Sequence, residues 1–286
     1  MFTNFSFLQK PDPIYRLFLQ LQGFRTNTYW ETASEILEKE TFILPEINVE
    51  WEDLKRLSMP VYLRLGNRLE RFFSFIIQES QTYEMIAENV QIVAQKVTLG
   101  ELDFIVRNVQ TNEIIHVELG GKLYLYDLEI GGELERWIGP NRSDSLLTKL
   151  NRLQEFQFPL LHQPQTQIQL AEWQLKQEAI QQQICFKVRM FLPESLSGYM
   201  PPYISAEHIR GYYITLPKFQ SSRFEDFQYF LPEKQDWIVD PKYGEVWFTH
   251  KQIFPLIEKS LLTMQSPMVW VKKSEKEFET IFIVFW

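Results

Sequence analysis

The chain has 286 residues, 45% of them hydrophobic, and a formal net charge of -8 at pH 7. A chain of this size can bury a large core and lies near the length at which one core divides into two, so we expect one elaborated domain or two closely packed ones. The negative charge argues against broad, sequence-independent binding of nucleic acid, which requires many Lys and Arg contacts to phosphate. A nucleic-acid ligand would therefore need a local basic patch.

Cysteine content and hydropathy indicate the compartment. The single cysteine, Cys185, lies in the apolar run 184–188, which excludes a disulfide framework and favours a reducing, intracellular environment with the thiol buried in a strand. Residues 1–8 lack the basic segment and long apolar stretch of a secretory signal, and nowhere do eighteen apolar residues follow one another. We therefore expect a soluble, cytoplasmic protein without a membrane partner.

The N-terminal part of the chain contains two helix patterns. Residues 13–23 carry apolar residues at helical spacing between a proline and a glycine, and residues 60–79 repeat apolar residues at intervals of three and four. The apolar stripe of the second helix consists of Tyr62, Leu65, Leu69, Phe72 and Ile76. Residues 26–58 are weakly predictable, and residues 91–97 are a candidate first strand.

A hairpin with two carboxylates is predicted next. Apolar, strand-like runs at 100–106 and 114–122 flank a turn-forming stretch at 107–113, and the first run carries Asp103 while the second carries Glu118. Because strand side chains alternate between faces, we expect both carboxylates on one side of neighbouring strands. Such a pair repels unless a cation or a proton neutralises it, so the pattern predicts a divalent-cation site suited to Mg²⁺.

The middle of the chain completes a mixed layer structure. After a glycine-containing loop at 126–140, a helix is predicted from about 141 to 156, and the glutamine-rich residues 163–183 indicate helical continuation. Residues 184–192 are predicted to form another strand. The order helix, three strands, helix, strand over 60–192 predicts a mixed central sheet flanked by helices, an α/β or α+β architecture.

The C-terminal third predicts further strands, the last two forming a hairpin, and one helix with Pro255 in its first turn. The strands are at 212–216, 245–249, 268–272 and 278–285, and the helix is at 251–265. Aromatic residues are abundant here; core packing explains most of them, and exposed members could stack nucleobases.

The element order resembles that of the PD-(D/E)XK nuclease superfamily, with a glutamate on the leading helix, an aspartate on a middle strand, and a glutamate followed by a lysine on the next strand. More narrowly, the chain resembles the bacterial family catalogued as domain of unknown function 1853. The segments that carry this narrower resemblance are LGNRLE at 65–70, GELDF at 100–104, HVELGGK at 116–122, IGPN at 138–141, HIRGYY at 208–213 and DWI at 236–238.

The resemblance implies a restriction-endonuclease-like core with a strand-rich C-terminal elaboration. In these terms, residues 1–59 are an N-terminal helical extension, and residues 60–192 are the nuclease-like α/β core. Residues 193–286 are then a C-terminal α+β portion packed on that core. The oligomeric state is left open.

The superfamily's residue roles transfer to five positions. Asp103 and Glu118 would bind Mg²⁺, for which Mn²⁺ can substitute, and the Leu119 carbonyl would be a third ligand. Lys122 would position or deprotonate the attacking water and stabilise charge on the phosphorus centre, and Glu70 would be an auxiliary carboxylate. A hydrated metal lowers the pKa of bound water and neutralises charge on phosphate oxygens. The resemblance thus implies a metal-dependent phosphodiesterase acting on DNA or RNA.

One spacing departs from the superfamily pattern. The usual lysine position, two residues after Glu118, is Gly120, and Lys122 lies two residues later. The two positions share a strand face, and the displacement along an ideal strand is about 6.6 to 6.8 Å, which a lysine side chain can partly recover. We expect the Gly120 and Gly121 pair to bend or bulge the strand. His116 shares a face with Glu118 and is expected near the site.

Simpler explanations exist for the same residues. Asp103 and Glu118 would also be explained by ion pairs with Arg64 or Arg68, and Lys122 by a solvated charge at a strand end. In that case the chain is a non-catalytic binding or scaffold module that retains the fold and uses its aromatic C-terminal half for a protein partner.

Further residues, and the absence of some known motifs, limit the reactions that the sequence supports. On the helix ending near 156, Lys149 and Arg152 are candidate contacts to a phosphate backbone, although charge on a helix more commonly faces solvent. Glu70 beside Arg71 has the same alternative as surface charge. The four histidines lack zinc spacing, and neither a Walker loop nor a nucleophile elbow is present. Nucleotide hydrolysis and serine-esterase chemistry therefore lose support.

Overall fold

A computed structural model describes residues 12–286, so the segment at 1–8 discussed above lies outside the described residues. The α-helices of the described chain are α1 (Pro13–Thr26), α2 (Thr32–Leu37), α3 (Leu65–Glu79), α4 (Leu146–Arg152), α5 (Phe158–Leu160), α6 (Pro164–Glu172), α7 (Leu216–Phe219) and α8 (His250–Leu262). The strands are β1 (Glu40–Thr41), β2 (Tyr83–Ala94), β3 (Val97–Asn108), β4 (Ile114–Tyr126), β5 (Trp137–Ile138), β6 (Ile180–Pro193), β7 (Ile209–Thr215), β8 (Gln228–Phe230), β9 (Phe248–Thr249), β10 (Met268–Lys272) and β11 (Phe278–Val284).

One mixed sheet organises the described chain. Its main path runs β2-β3-β4-β6-β7-β11-β10-β8-β9, with β1 on β6 and β5 on β4. The pairs from β2 to β4 are antiparallel, β4-β6, β6-β7 and β7-β11 are parallel, and the remaining pairs of the path are antiparallel. The predicted mixed sheet flanked by helices is confirmed, and the C-terminal strands continue that sheet through β7.

Helices cover both faces of β4. On one face, Phe72 and Phe73 of α3 pack with Val117 of the strand in a fully buried cluster. On the other face, Leu146 and Leu150 of α4 pack in a second buried cluster with aromatic residues of β4 and with β6. Because apolar residues cover both faces, a polar side chain on this strand is costly to bury unless another polar group meets it. No helix within residues 12–286 combines the length and hydropathy needed to cross a membrane.

Two predicted boundaries in the N-terminal half are wrong. Helix α3 begins at Leu65 and not at residue 60, and Tyr62 is 98% exposed instead of belonging to the apolar stripe. The preceding residues form a turn because their carbonyls accept hydrogen bonds from the buried Arg68 side chain. The predicted strand at 91–97 begins earlier, at Tyr83, and ends at Ala94.

The glutamine-rich segment is also corrected. Helix α6 ends at Glu172, and β6 begins at Ile180, four residues before the predicted strand. Parallel pairing with β4 starts at Ile114 opposite Ile180, so the glutamines between Ile180 and Ile184 belong to a ladder and not to a helix. In the C-terminal part, the hairpin of β10 and β11 is confirmed, whereas Pro255 lies inside α8 beyond its first turn.

Candidate functional site

Asp103 and Glu118 converge where two antiparallel strands separate. The pairing of β3 with β4 confirms the predicted hairpin, and it ends at Phe104 opposite Val117, which places Asp103 next to Glu118 on the adjacent strand. One step further along β4, the backbone N–H of Leu119 donates to Oδ2 of Asp103 at 2.9 Å. An extended residue directs its N–H and C=O to the same edge, so the Leu119 carbonyl faces the same gap.

Glu118 is fully buried and receives hydrogen bonds at both carboxyl oxygens. Nε2 of His116 lies 3.1 Å from Oε1, and Nε2 of Gln157 donates to Oε2 at 2.6 Å. The amide of Gln182 donates to the Phe158 carbonyl at 2.8 Å and lies 3.2 Å from Nδ1 of His116. With a donor facing Nδ1, the proton of the neutral imidazole is on Nε2, which donates to Glu118.

Burial raises the pKa of both acids toward neutral pH. Burial, reinforced by the nearby Glu118, raises the pKa of Asp103 to about 7. Burial also raises the pKa of Glu118 to about 8, although Lys149 and a hydrogen bond with Asp103 oppose the shift. Burial lowers the pKa of His116 to about 4, so the imidazole stays neutral. Burial therefore favours the protonated form of these acids, and a bound cation would neutralise their charge in place of protons.

Lys149 is the cationic group whose charge most strongly opposes the raised pKa of Glu118. It projects from α4, is partly buried, and donates from Nζ to Oε1 of Gln157 at 2.9 Å. Burial lowers the pKa of Lys149, while the charges of Glu118 and Asp103 raise it. Lys149, Gln157 and Glu118 thus form a continuous hydrogen-bonded chain from the helix to the strand.

The helix that carries this chain has an irregular middle. Residues Leu153–Gln157 between α4 and α5 are π-helical, and Gln157 is the last of them. A π-helical turn shifts side chains by one position relative to an α-helix, and such turns are frequent at functional sites. Here it brings Gln157 to Glu118 while Lys149 stays on the preceding turn.

A cavity opens above the acids, and we call it the acidic cleft. Its volume is about 820 Å³, and its lining includes Glu70, Glu101, Asp103, Lys149 and Arg152. Burial raises the pKa of Glu70, and so do the charges of Asp103 and Glu101. Arg152 is exposed at the rim. Four of the predicted residues, Glu70, Asp103, Lys149 and Arg152, therefore meet in one cleft, with Glu118 buried beside Asp103.

Lys122 lies elsewhere. Its Nζ is 2.7 Å from Oδ2 of Asp144, with side-chain exposures of 39% and 36%, and it lines a neighbouring cavity. At the usual lysine position, a side chain on Gly120 would collide with the ring of Phe186 on β6. A side chain on Gly121 would collide with Leu69 of α3.

The strand is not bulged at these two glycines. β4 and β6 stay in register without a shift from Ile114 to Leu125, so the expectation of a bulge against this neighbour is wrong. The glycine pair is explained instead by close packing of the Phe186 ring against Gly120 and of the Leu69 side chain against Gly121.

Ion pairing with the nearby arginines is not observed. Arg68 is buried and donates to the carbonyls of Leu63, Pro60 and Val61, at 3.3, 3.4 and 3.4 Å. Among residues 12–286, neither Asp103 nor Glu118 forms a salt bridge with an arginine.

A second polar group offers three potential metal-binding atoms within 4.8 Å of one another, from Glu31, Glu207 and His208. Both ring nitrogens of His208 already have partners, the hydroxyl of Ser205 and the carbonyl of Tyr29, each at 2.8 Å. This histidine therefore fixes a turn next to β7, as its hydrogen bonds to the loop before α2 require.

Sequence reasoning missed Gln157 and underestimated Lys149. Gln157 lies one residue beyond the predicted helix end, and an α-helical spacing gives no indication of a π-helical turn. For Lys149 the sequence indicates either a phosphate contact or a solvent-facing charge, and the structure places this side chain in the polar chain that reaches Glu118. One signal in the sequence could have indicated this position: Lys149 lies on the same side of the predicted helix as its apolar leucines.

A model of the family described as Domain of unknown function (DUF1853) matches residues 21–284. Searches of curated proteins and of solved structures found no match. The family match spans every residue of the acidic cleft, and its description names no activity.

Proposed function

We propose that this chain, which belongs to the DUF1853 family, is a metal-dependent phosphodiesterase of the PD-(D/E)XK type that acts on nucleic acid. The observation that carries the proposal is the meeting of Asp103 and Glu118 at the point where β3 leaves β4, with Lys149 beside them. A protein that needed these carboxyls only for packing would gain by replacing them with apolar residues, because buried acids are costly.

The donors present fit Mg²⁺. Carboxyl oxygens of Asp103 and Glu118 and the carbonyl of Leu119 are the hard ligands this ion prefers, and the cleft has room for the waters it retains. A cation would bind the ionised carboxylates and so displace protons from these two acids. When bound, it would lower the pKa of a coordinated water and neutralise charge on phosphate oxygens.

The protein's own groups would supply the remaining steps. Lys149 takes the place that the superfamily pattern gives to Lys122, and its ammonium stabilises negative charge building on the phosphoryl group. Glu70, whose pKa is raised, accepts a proton from water on the open side of the cleft. His116 and Gln157 hold Glu118 in one orientation, and Arg152 at the rim contacts a neighbouring phosphate.

Cleavage of labelled DNA and RNA oligonucleotides in Mg²⁺ or Mn²⁺ tests the proposal. We expect slow hydrolysis by the wild type and loss of at least about 100-fold in Asp103→Asn, which removes a ligand charge with little change in shape. Glu258→Gln, at an exposed position on α8, is the matched control and should cleave like the wild type. Equal cleavage by Asp103→Asn and the wild type would identify a contaminating nuclease and remove the enzymatic claim.

The second candidate is a non-catalytic module, favoured by one observation. Both carboxyl oxygens of Glu118 have hydrogen-bond partners within the protein, so protein groups alone satisfy this buried acid. Thermal unfolding with and without Mg²⁺ separates the two functions, because an ion that binds only the folded protein raises Tm. A rise in the wild type that disappears in Glu118→Gln supports the enzyme, and no rise in either protein supports the module.

A further inference from the structure

The turn at residues 60–63 presents an aromatic ring to solvent from a rigid base. Tyr62 is 98% exposed, although the turn that carries it is held by hydrogen bonds from buried Arg68 to three of its carbonyls. Arg68 in turn donates to Oε1 of Gln20 at 2.9 Å, and Gln20 donates to Oδ1 of Asp236 at 2.7 Å. A buried polar chain therefore fixes a tyrosine that packs against nothing.

This tyrosine lines a second cavity, which we call the tyrosine cleft. Its volume is about 680 Å³, and Arg64, Lys122, Asp144 and Lys234 are among its lining residues. Arg64 forms no salt bridge with any residue from 12 to 286. Glu233 also lines this cleft, and Lys122 is paired with Asp144. The cleft therefore combines an exposed ring with three cationic and two acidic side chains, although the chain as a whole has a net charge of -8.

The two clefts are consecutive along α3 and β4. Helix α3 contributes Glu70 to the acidic cleft and Gly66 to the tyrosine cleft, and β4 contributes Leu119 to the first and Lys122 to the second. Asp144, which precedes α4, lines the tyrosine cleft, and Thr148 of α4 lines the acidic cleft. The charge of Lys122 lowers the pKa of Lys149, so the two lysines are electrostatic neighbours. Three residues of extended strand span about 10 Å.

We propose that the tyrosine cleft binds single-stranded nucleic acid next to the bond that is cut, with an unpaired base stacked on Tyr62. This inference rests on the proposed function, because it extends the substrate path from the acidic cleft. Aromatic rings stack on bases of any sequence, and a stacked face is available only when the base has left its duplex. Arg64 and Lys122 contact the backbone phosphates that span the roughly 10 Å between the clefts, about three base steps of a stacked strand.

Binding measured without cleavage tests the inference. Fluorescence anisotropy with a short labelled DNA strand and with a hairpin duplex of the same composition would be recorded in Mg²⁺, using Asp103→Asn protein to prevent hydrolysis. We expect the single strand to bind more tightly than the duplex, and Tyr62→Ala to weaken single-strand binding at least about fivefold. Tyr62→Phe, which keeps the ring, should bind as the parent does.

A matched control comes from another exposed tyrosine. Tyr203 is 56% exposed and lies outside both clefts, so Tyr203→Ala should leave binding unchanged. Unchanged single-strand affinity in Tyr62→Ala, or preference for the duplex, would overturn the inference while wild-type cleavage still supports the proposed function. If the parent bound neither oligonucleotide and the wild type cleaved none, the proposed function would fail, and the inference with it.

Discussion

The amine of Lys122 lies 2.7 Å from a carboxyl oxygen of Asp144, outside the cleft that Asp103 lines. The superfamily pattern implies a lysine on the strand of the glutamate, and the ring of Phe186 leaves no room for a side chain at Gly120. Lys149 reaches Glu118 from α4 through Gln157. In the proposed function, the positive charge that stabilises the phosphoryl group therefore comes from a helix and not from the strand of the glutamate.

The first prediction separates these two lysines. Lys149→Met should lower the rate of oligonucleotide cleavage by about 100-fold or more, the range measured when one stabilising donor of a developing anion is removed. Lys122→Met should lower the rate much less, through weaker substrate binding, and should act on KM and not on kcat. Steady-state kinetics on one oligonucleotide measures both. A large loss of kcat in Lys122→Met with little change in Lys149→Met would instead assign the catalytic role to Lys122.

Much of the site was predictable because it depends on local alternation. The positions of Asp103 and Glu118 follow from the period of two along each strand, and the turn between them has clear turn residues. The absence of a side chain at position 120 was not predictable, because it depends on the bulk of Phe186, which lies 66 residues after Gly120 in the sequence and is paired with it only in the sheet.

The boundaries of helices and strands illustrate a second limit on what the sequence alone can predict. Residues 60–64 continue the apolar spacing of α3, yet they form a turn because Arg68 satisfies their carbonyls from within the helix. Likewise, the residues between Ile180 and Ile184 have side chains that suit a helix, and parallel pairing with β4 makes them a strand. In both cases a tertiary contact overrides local preference.

The second prediction concerns the pH dependence of stability without metal. Asp103 and Glu118 have folded-state pKa values of about 7 and 8, raised from 3.8 and 4.5 by burial, so the folded protein binds more protons than the unfolded chain in this range. The stabilisation is complete below pH 4 and is lost as pH rises through 7 to 8. The free energy of unfolding should therefore fall between pH 6.5 and 8.

His116 does not contribute to the slope in this window. Its pKa is lowered from 6.5 to about 4, so its contribution is lost only as pH falls below 6.5. Urea denaturation at several pH values measures the slope, which Asp103→Asn should reduce and Glu258→Gln should leave as in the wild type. Saturating Mg²⁺ should also flatten the slope, because a bound cation displaces protons from the two acids. A wild-type stability that stays constant from pH 6.5 to 8 would contradict the raised pKa values of Asp103 and Glu118.

The third prediction concerns the support of Glu118. His116→Ala removes the donor at Oε1, and loss of a group that orients a metal ligand typically weakens metal binding about 10- to 100-fold. His116→Gln retains an amide donor and should recover part of that affinity. Isothermal titration with Mn²⁺ measures the dissociation constant directly. Equal affinities in His116→Ala and the wild type would show that Gln157 alone orients the carboxyl.

The last prediction concerns the glycine pair of β4. A methyl group at residue 120 overlaps the ring of Phe186, and one at residue 121 overlaps Leu69 of α3. Because both neighbours are fully or almost fully buried, neither can move away freely, and overpacking of this kind costs about 1 to 3 kcal/mol. Gly120→Ala and Gly121→Ala should each lower the free energy of unfolding by that amount.

Gly66 of α3 provides the matched control, because an added Cβ there meets nothing within 4 Å. Gly66→Ala should be neutral or stabilising by up to about 1 kcal/mol, since alanine favours the helix. Combining Gly120→Ala with Phe186→Leu tests the cause, because the smaller side chain relieves the overlap. The loss of stability in the double variant should therefore be smaller than the sum of the losses in the two single variants. Additive losses of stability would mean that the Phe186 ring is not the reason for a glycine at position 120. A lysine at that position, as the superfamily pattern implies, would then be sterically possible.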